Sequence, residues 1–273
     1  MIKFIMITNN PVLAKHAESC GVGRIFVDLE LLGKKERQGH LDTLISNHSM
    51  ADVKKIRSNI SRAELLVRLN PLNEITDQEI DQAVSAGADM LMLPMFRRAD
   101  EVRKFVKMVD GRAQVIPLVE TYAASQAIED IVQIAGVSEI YIGLNDLYLD
   151  MQLDFMFEPL ANGLVDKMAT VIKSAGLPFG FGGIARVGEG IIPGELVLGE
   201  HLRLGSQSVI LSRTFLRKDV EAFGVDANIE FQKEIDKLSD AARSLKLRSS
   251  EQITSDQRRL QAIVADFVAG KKR

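Results

Sequence analysis

Two carboxylates close apolar segments that follow one another along the chain. Glu120 ends the segment PLVE and Asp146 ends IGLND. If these segments are adjacent parallel strands, their carboxyl ends lie at the same rim and bring the two acids together. Carboxylate oxygens suit Mg²⁺, Mn²⁺ or another divalent cation, which takes one or two protein carboxylates and leaves its other positions to water and substrate. The pair therefore predicts a metal site, and the alternative for each acid is a cap on the helix that follows.

More charged side chains follow the second and third apolar segments. Arg68 emerges from LLVRLN, where a fixed guanidinium could hold an anionic oxygen. Asp28 and Glu30 are two residues apart on one predicted strand, so both face the same way. These acids could orient a metal-bound water, accept a proton or pair with Arg68, and the sequence leaves the three alternatives open. Asn145, beside Asp146, is predicted to bind substrate together with Arg68.

An alternation of strand-like and helix-like segments must position these residues. Eight short apolar segments return along the chain: KFIMITN, RIFVDLE, ELLVRLN, MLMLPMF, QVIPLVE, EIYIGLND, LPFGFGGIA and SVILSR. Segments with apolar residues at helical spacing lie between them, and most end on Gly. An open doubly wound sheet gives the same alternation, but ITNNPVLA stands where its glycine-rich phosphate loop would follow the first strand. The count of eight strands predicts an α/β protein with a (β/α)₈ TIM barrel, whose active site lies at the carboxyl ends of the strands.

Other candidate groups at the strand ends give weaker signals. The run FGFGGIARVGEG resembles a phosphate-cradling loop but matches no nucleotide motif, so we interpret it as a tight turn. The four histidines lack the spacing of a zinc site. His16 and His201 lie in predicted helices, whereas His40 and His48 follow strand two and could approach the barrel mouth. Cys20 is the single cysteine, and we interpret it as a packing residue near a helix end.

Composition limits the classes of function. The 273 residues carry a formal net charge of -3 with mixed signs, which predicts no nucleic-acid partner, and no stretch is long enough to span a bilayer. The single cysteine fits a reducing cytoplasm. We predict a catalytic barrel over residues 1–227 and a helical C-terminal extension over residues 228–273. Because apolar residues are embedded in that charged tail, we expect it to pack on the barrel or on a neighbouring subunit of a homo-oligomer.

Five segments carry a resemblance to a known family. IFVDLE, LLVRLNP, ADMLMLPMF, VIPLVET and EIYIGLNDL resemble the HpcH/HpaI aldolase and citrate lyase family over roughly Gly23 to Arg213. The resemblance implies a (β/α)₈ barrel that uses a divalent ion to make or break a carbon–carbon bond next to a keto acid or an acyl-coenzyme A thioester. It also implies that Glu120 and Asp146 bind the metal and that Arg68 stabilises an enolate oxygen. Asp28 and Glu30 match the family's acids after strand two, and family members are usually oligomers that often exchange their last helices.

One position departs from the family pattern. Pyruvate aldolases of the family carry a histidine directly after these acids, whereas this chain has Leu31. The citrate-lyase-type members carry an acid there, which this chain also lacks. The general base is therefore open among His40, His48, Lys34 and a metal-bound hydroxide.

These observations predict a divalent-metal-dependent carbon–carbon lyase, similar to class II aldolases, that acts on a small 2-keto acid through a pyruvate-like enolate. One alternative is an acyl-coenzyme A lyase of the citrate or malyl-coenzyme A type. That reading needs a basic surface near the mouth, for which Arg97 and Arg98 form the only obvious cluster. The other alternative is a metal-binding barrel that has lost aldolase activity.

Overall fold

Eight parallel strands form the centre of the molecule. The computed structural model describes residues 2–33, 47–215 and 225–271, without the side chains of residues 225–229. The strands pair in sequence order and the eighth pairs with the first, so the sheet closes into a barrel. This confirms the predicted (β/α)₈ barrel. The strands are β1 Lys3–Ile7, β2 Arg24–Asp28, β3 Glu64–Arg68, β4 Met90–Leu93, β5 Gln114–Val119, β6 Ile140–Ile142, β7 Phe179–Ile184 and β8 Ser208–Leu211.

Helices connect the strands and cover their outer face. They are α1 Pro11–Ser19, α2 Met50–Arg57, α3 Thr76–Ser85, α4 Ala99–Val109, α5 Tyr122–Gln126, α6 Ile128–Ile131, α7 Leu144–Asp150, α8 Glu158–Ala161, α9 Leu164–Ser174, α10 Gly194–Leu204, α11 Val225–Leu245 and α12 Ser250–Lys271. Two short helices, α5 and α6, lie between β5 and β6 and share Ala127 as a cap. Two further short helices, α7 and α8, follow β6.

Side chains along each strand point alternately into the barrel and towards the helices. This alternation fills the barrel interior and also turns several charged residues inward. The barrel interior is an apolar cluster of Ile5, Phe26, Leu66, Met90, Met92, Ile116, Leu118 and Tyr141. Because side chains two apart on a strand share a face, the residues that follow Phe26, Leu66 and Leu118 by two positions also face inward. Those residues are Asp28, Arg68 and Glu120. The same pattern that packs the interior therefore places three charged groups at its carboxyl end.

The glycine-rich run FGFGGIARVGEG is only partly the tight turn that we expected, because its first six residues form β7 and a turn follows at Val187 and Gly188. The pairing of β7 with β8 shifts register between Gly180 and Gly183, as in a β-bulge. A side chain at Gly180 would collide with Ser208 and Tyr141, so this position needs glycine for close packing. The Tyr141 hydroxyl donates to the Gly182 carbonyl at 2.8 Å and accepts from the Ile210 amide at 2.9 Å.

The last two helices pack on the barrel. Phe231, Ile235 and Leu238 of α11 are buried in the same apolar core as the barrel helices, and the Phe231 ring lies 5.6 Å from the His16 ring of α1. Leu260 and Val264 of α12 are also buried. The two helices are separated by a short break, because α11 ends at Leu245 and α12 begins at Ser250. The domain boundary at residue 227, the homo-oligomer and the cytoplasmic location stay predictions.

Candidate active site

Arg68 lies at the centre of a charged network at the mouth of the barrel. Its Nε and Nη2 donate to the two oxygens of Asp28 at 2.8 and 2.9 Å, a bidentate pairing that fixes the guanidinium plane. Its Nη2 also lies 3.2 Å from Glu30 Oε2, and its Nη1 lies 3.9 Å from Glu120 Oε2. The structure therefore brings four of the predicted site residues together, and it shows the pairing of Asp28 and Glu30 with Arg68.

The carboxylates keep Arg68 charged. Burial alone would lower the pKa of its guanidinium, but Asp28, Glu30 and Glu120 outweigh that effect and raise it well above its ordinary value. The Arg68 side chain retains some exposure, whereas Asp28 and Glu30 are almost fully buried. Arg68 is thus a permanently cationic group at the mouth, held by Asp28, its partner in the strand register, and by Glu30, which follows the end of β2.

Glu120 is a buried carboxylate with few compensating charges. It follows β5 directly, and its Oε1 accepts a hydrogen bond from the Met95 amide at 3.0 Å. Burial raises its pKa well above the ordinary value, Arg68 opposes the rise, and the negative charges of Asp146 and Glu30 add to it. Glu120 does not cap a helix, because the N-cap of α5 is Thr121, whose hydroxyl accepts from the Ala124 amide. The capping alternative therefore does not hold for this acid.

We expected Asn145 and Asp146 at the end of a strand, but both lie in a helix. β6 ends at Ile142, and α7 begins at Leu144, so both residues fall in its first turn. The N-cap of α7 is Gly143, so Asp146 is not the cap either. Asp146 is buried, and it lies close enough to Glu120 for its charge to raise the pKa of that acid. The two predicted metal ligands are thus neighbours, although a helical turn and not a strand presents one of them.

The charges at the mouth fit a divalent cation. Asp28, Glu30 and Glu120 lie within 3.9 Å of one guanidinium, and the charge of Asp146 acts on Glu120, which leaves an excess of buried negative charge. Within the part of the chain that the structure describes, no three metal-binding side chains converge on one point. A site with only two carboxylates suits Mg²⁺ or Mn²⁺, which keep water or substrate oxygens in their remaining positions. Glu120 and Asp146 stay predicted ligands on this basis.

Two residues that contact Glu120 were not predicted from the sequence. Met95 has a φ of 55°, a left-handed conformation that is uncommon outside glycine, and this turn aims its amide at Glu120. Gly143 lies beside the acid, and a Cβ there would come within 2.9 Å of Glu120 Cβ. Neither residue belongs to a chemical motif. Pro94, a residue type that favours the second position of a turn, is the only sequence signal for a turn at Met95.

The candidate bases after β2 are only partly described. His40 and Lys34 lie outside the described residues. Leu31 is 55% exposed, and its amide and that of Leu32 both donate to Asn70 Oδ1 at 2.8 and 3.0 Å. His48 lies at the mouth, where its Nδ1 accepts a hydrogen bond from the Asp28 amide at 3.0 Å.

Other candidate groups have structural partners. Arg97 pairs with Asp150 and Arg98 pairs with Asp100, so both members of the basic cluster are neutralised by acids. In the segment after β7, the Gly188 amide donates to Glu195 Oε2, which fills that position with a carboxylate. Cys20 is buried with its Sγ 3.3 Å from His16 Nε2, and burial raises the pKa of its thiol. The described part of the chain contains no helix that is both long and apolar enough to cross a membrane.

Comparisons with known proteins give both a sequence match and structural matches. Residues 7–156 match a family model described as HpcH/HpaI aldolase/citrate lyase. A family protein from Burkholderia cenocepacia aligns with a TM-score of 0.62 at 15% identity, covering 81% of this chain and 92% of that one. An HpcH/HpaI aldolase from Desulfitobacterium hafniense aligns with a TM-score of 0.59 at 15% identity, covering 91% and 94%.

A third solved structure carries ligands. The citrate lyase beta subunit of Mycobacterium tuberculosis, complexed with oxaloacetate and magnesium, aligns with a TM-score of 0.60 at 14% identity, covering 89% of this chain and 97% of that one. At these identities the structural matches establish the fold alone. No curated protein sequence matches the chain.

Proposed function

Because the chain belongs to the HpcH/HpaI aldolase/citrate lyase family, we propose that it is a divalent-metal-dependent carbon–carbon lyase that acts on a small 2-keto acid. The family's members are lyases, and a related barrel binds oxaloacetate, itself a 2-keto acid, together with magnesium. The observation that carries the proposal is the Arg68 guanidinium, which Asp28 and Glu30 hold beside the buried Glu120. This arrangement suits the stabilisation of an enolate.

The reaction needs positive charge where the enolate forms. In cleavage of a 4-hydroxy-2-keto acid, a base takes the hydroxyl proton and the C3–C4 bond breaks. Its electron pair becomes the enolate of pyruvate while C4 leaves as an aldehyde, and the enolate then takes a proton on C3. A divalent cation on Glu120 and Asp146 would supply Lewis acidity beside the keto oxygen.

Arg68 contributes a donor that is already oriented. Its Nε and Nη2 are engaged by acids, whereas Nη1 is 3.9 Å from Glu120 Oε2, beyond hydrogen-bonding distance. Nη1 can therefore donate to an enolate oxygen or to the substrate carboxylate without breaking its bonds to Asp28. Preorganised donors of this kind stabilise charge as it develops, because they need no reorientation during the reaction. Asn145, in the first turn of α7, is proposed to bind substrate beside it.

Proton exchange separates the keto-acid proposal from the thioester alternative. We expect the enzyme with Mg²⁺ or Mn²⁺ to exchange the methyl protons of pyruvate for deuterium, measured by NMR, and to leave those of acetyl-coenzyme A unchanged. Arg97 and Arg98 form exposed ion pairs with Asp150 and Asp100, which a nucleotide phosphate would have to replace. Exchange of acetyl-coenzyme A alone would establish the acyl-coenzyme A lyase instead, and exchange of neither would favour a barrel without lyase activity.

A further inference from the structure

His48 occupies the end of the ladder between β1 and β2. The Thr8 amide donates to the Phe26 carbonyl, so the backbone N–H and C=O groups of the even-numbered β2 residues face β1. The Leu29 amide, one position after Asp28, donates to the Arg68 carbonyl on β3. The Asp28 amide therefore points towards β1, and its acceptor is His48 Nδ1 at 3.0 Å. The imidazole takes the place of a strand carbonyl at the residue whose carboxylate holds Arg68.

The backbone around His48 is itself fixed. Ser49, the next residue, is the N-cap of α2, and both its amide and its hydroxyl donate to Asp52 Oδ2 at 2.9 and 2.8 Å. Asn9, in the turn after β1, approaches the same oxygen at 3.5 Å. A capping box thus anchors the start of α2 next to the end of β1. His48 connects that anchor to the end of β2.

The hydrogen bond determines which imidazole nitrogen carries the proton. An amide can only donate, so Nδ1 must be the acceptor, and in the neutral ring Nε2 then carries the hydrogen. Neither nitrogen of this tautomer is available to take a proton from substrate. The contact that brings His48 to the mouth therefore argues against its use as the general base.

We infer that His48 is a positioning residue, which holds the end of β2 through the Asp28 amide and so fixes the Asp28 carboxylate against Arg68. Asp28 links the two side chains, because its backbone amide donates to the His48 imidazole and its carboxylate accepts from the Arg68 guanidinium. A shift of His48 should therefore shift the carboxylate that holds Arg68. The inference rests on the proposed function for its catalytic consequence. The structural coupling between His48 and Arg68 does not depend on that function.

Two conservative substitutions at His48 separate positioning from base catalysis. Asn places an oxygen near the position of Nδ1, whereas Gln places its polar group near Nε2. We expect His48→Asn to retain the bond to Asp28 and most of the pyruvate exchange rate. We expect His48→Gln and His48→Ala to lower kcat for exchange by on the order of 10- to 100-fold, as the loss of supporting contacts around a site usually does. Thermal melting of each variant provides the control for folding.

A second readout is independent of activity. The Arg68 Nε–H bound to Asp28 should give a resolved NMR signal that is slow to exchange with solvent. We expect the signal to be unchanged in His48→Asn and broadened or shifted in His48→Gln. If the wild-type protein exchanges no pyruvate protons, the proposed function fails while this signal still tests the coupling. An unchanged signal in His48→Gln, or an inactive His48→Asn variant that keeps the wild-type signal, would overturn the inference, and the latter would make His48 the base.

Discussion

At the scale of single residues, the site depends on how one acid is buried. Glu120 accepts one hydrogen bond from the Met95 amide and has Arg68 Nη1 at 3.9 Å, whereas the negative charges of Asp146 and Glu30 act against it, so its own charge is only partly compensated within the protein. Burial of a charge without a full set of partners is costly, and a cation would relieve that cost. A metal bound at Glu120 would therefore offset part of the cost of burying its carboxylate.

Replacing this acid should weaken metal binding. We expect Glu120→Gln, which keeps the size and one oxygen but removes the charge, to lower Mn²⁺ affinity by about 10-fold or more, because a charged ligand is lost. Isothermal titration calorimetry on metal-stripped protein measures this change. Glu129→Gln, the same substitution at an exposed acid of α6, is the matched control. Equal affinities in the two variants would remove Glu120 from the metal site.

A buried histidine away from the mouth should make stability depend on pH. His201 is fully buried on α10, stacked 3.7 Å from the Phe181 ring, with Nδ1 2.8 Å from Ser206 Oγ. Burial lowers its pKa to about 3 from 6.5. The folded protein therefore keeps His201 neutral, whereas the unfolded chain takes up a proton below pH 6.5. The free energy of unfolding should fall by about 1.4 kcal/mol per pH unit as pH drops from 6.5 towards 3.

A substitution that keeps the stacking on Phe181 isolates the contribution of His201 to the pH dependence of stability. His201→Phe can still pack on Phe181, and Ser206 keeps its approaches to the Phe179 and Ser208 carbonyls. We expect urea unfolding of this variant to show a smaller loss of stability between pH 6.5 and pH 4 than the wild type shows. Parallel curves for the two proteins would show that His201 titrates normally.

At the scale of secondary-structure elements, the glycines of β7 differ in what they permit. A Cβ at Gly180 would overlap Ser208 and Tyr141, whereas a Cβ at Gly183 would lie 3.6 Å from the Ile210 carbonyl oxygen, an ordinary contact. We expect Gly180→Ala to lower the free energy of unfolding by about 1–3 kcal/mol, the usual cost of overpacking. Gly183→Ala is the control in the same strand. A similar effect of both substitutions in urea unfolding would contradict the assignment of close packing to Gly180.

The strands were predictable from sequence because a barrel strand is a continuous apolar run with a fixed two-residue period. The position of Asp28, Arg68 and Glu120 at the carboxyl ends of their strands also predicted that they share the mouth. The strand pattern was misleading in one place. It failed at Asp146, because IGLND continues the apolar run past Ile142 and hides the start of α7. The Met95 amide and the His48 imidazole reach the site through a local turn and a tertiary hydrogen bond, which no periodicity encodes.

At the scale of the whole molecule, the two ends of the barrel hold charge for different purposes. Away from the mouth, Arg24 at the start of β2 is 2% exposed and binds both oxygens of Glu139 at 3.2 and 2.8 Å and Glu64 at 3.0 Å. Ser208 adds a hydrogen bond to Glu139. These groups are paired with one another, whereas the acids at the mouth outnumber Arg68. The first end is built for stability and the second is suited to binding a cation.

Substitution of the arginine away from the mouth should therefore lower stability without changing activity. We expect Arg24→Ala to lower the free energy of unfolding by about 3–5 kcal/mol, because it leaves a buried carboxylate unpaired, while the folded fraction keeps its exchange rate. Urea unfolding and pyruvate exchange, normalised to folded protein, measure the two effects. Loss of exchange in correctly folded Arg24→Ala would show that the two ends are coupled.

The central claim is that Arg68 and a divalent cation stabilise an enolate at the barrel mouth. The most direct measurement follows deuterium incorporation into the methyl group of pyruvate by metal-stripped protein before and after Mg²⁺ or Mn²⁺ is added, in the wild type, Arg68→Ala and the exposed control Arg98→Ala. We predict exchange only with metal, retained in Arg98→Ala and lost in Arg68→Ala. Exchange that is the same in Arg68→Ala as in the wild type, or that needs no metal, would contradict the account.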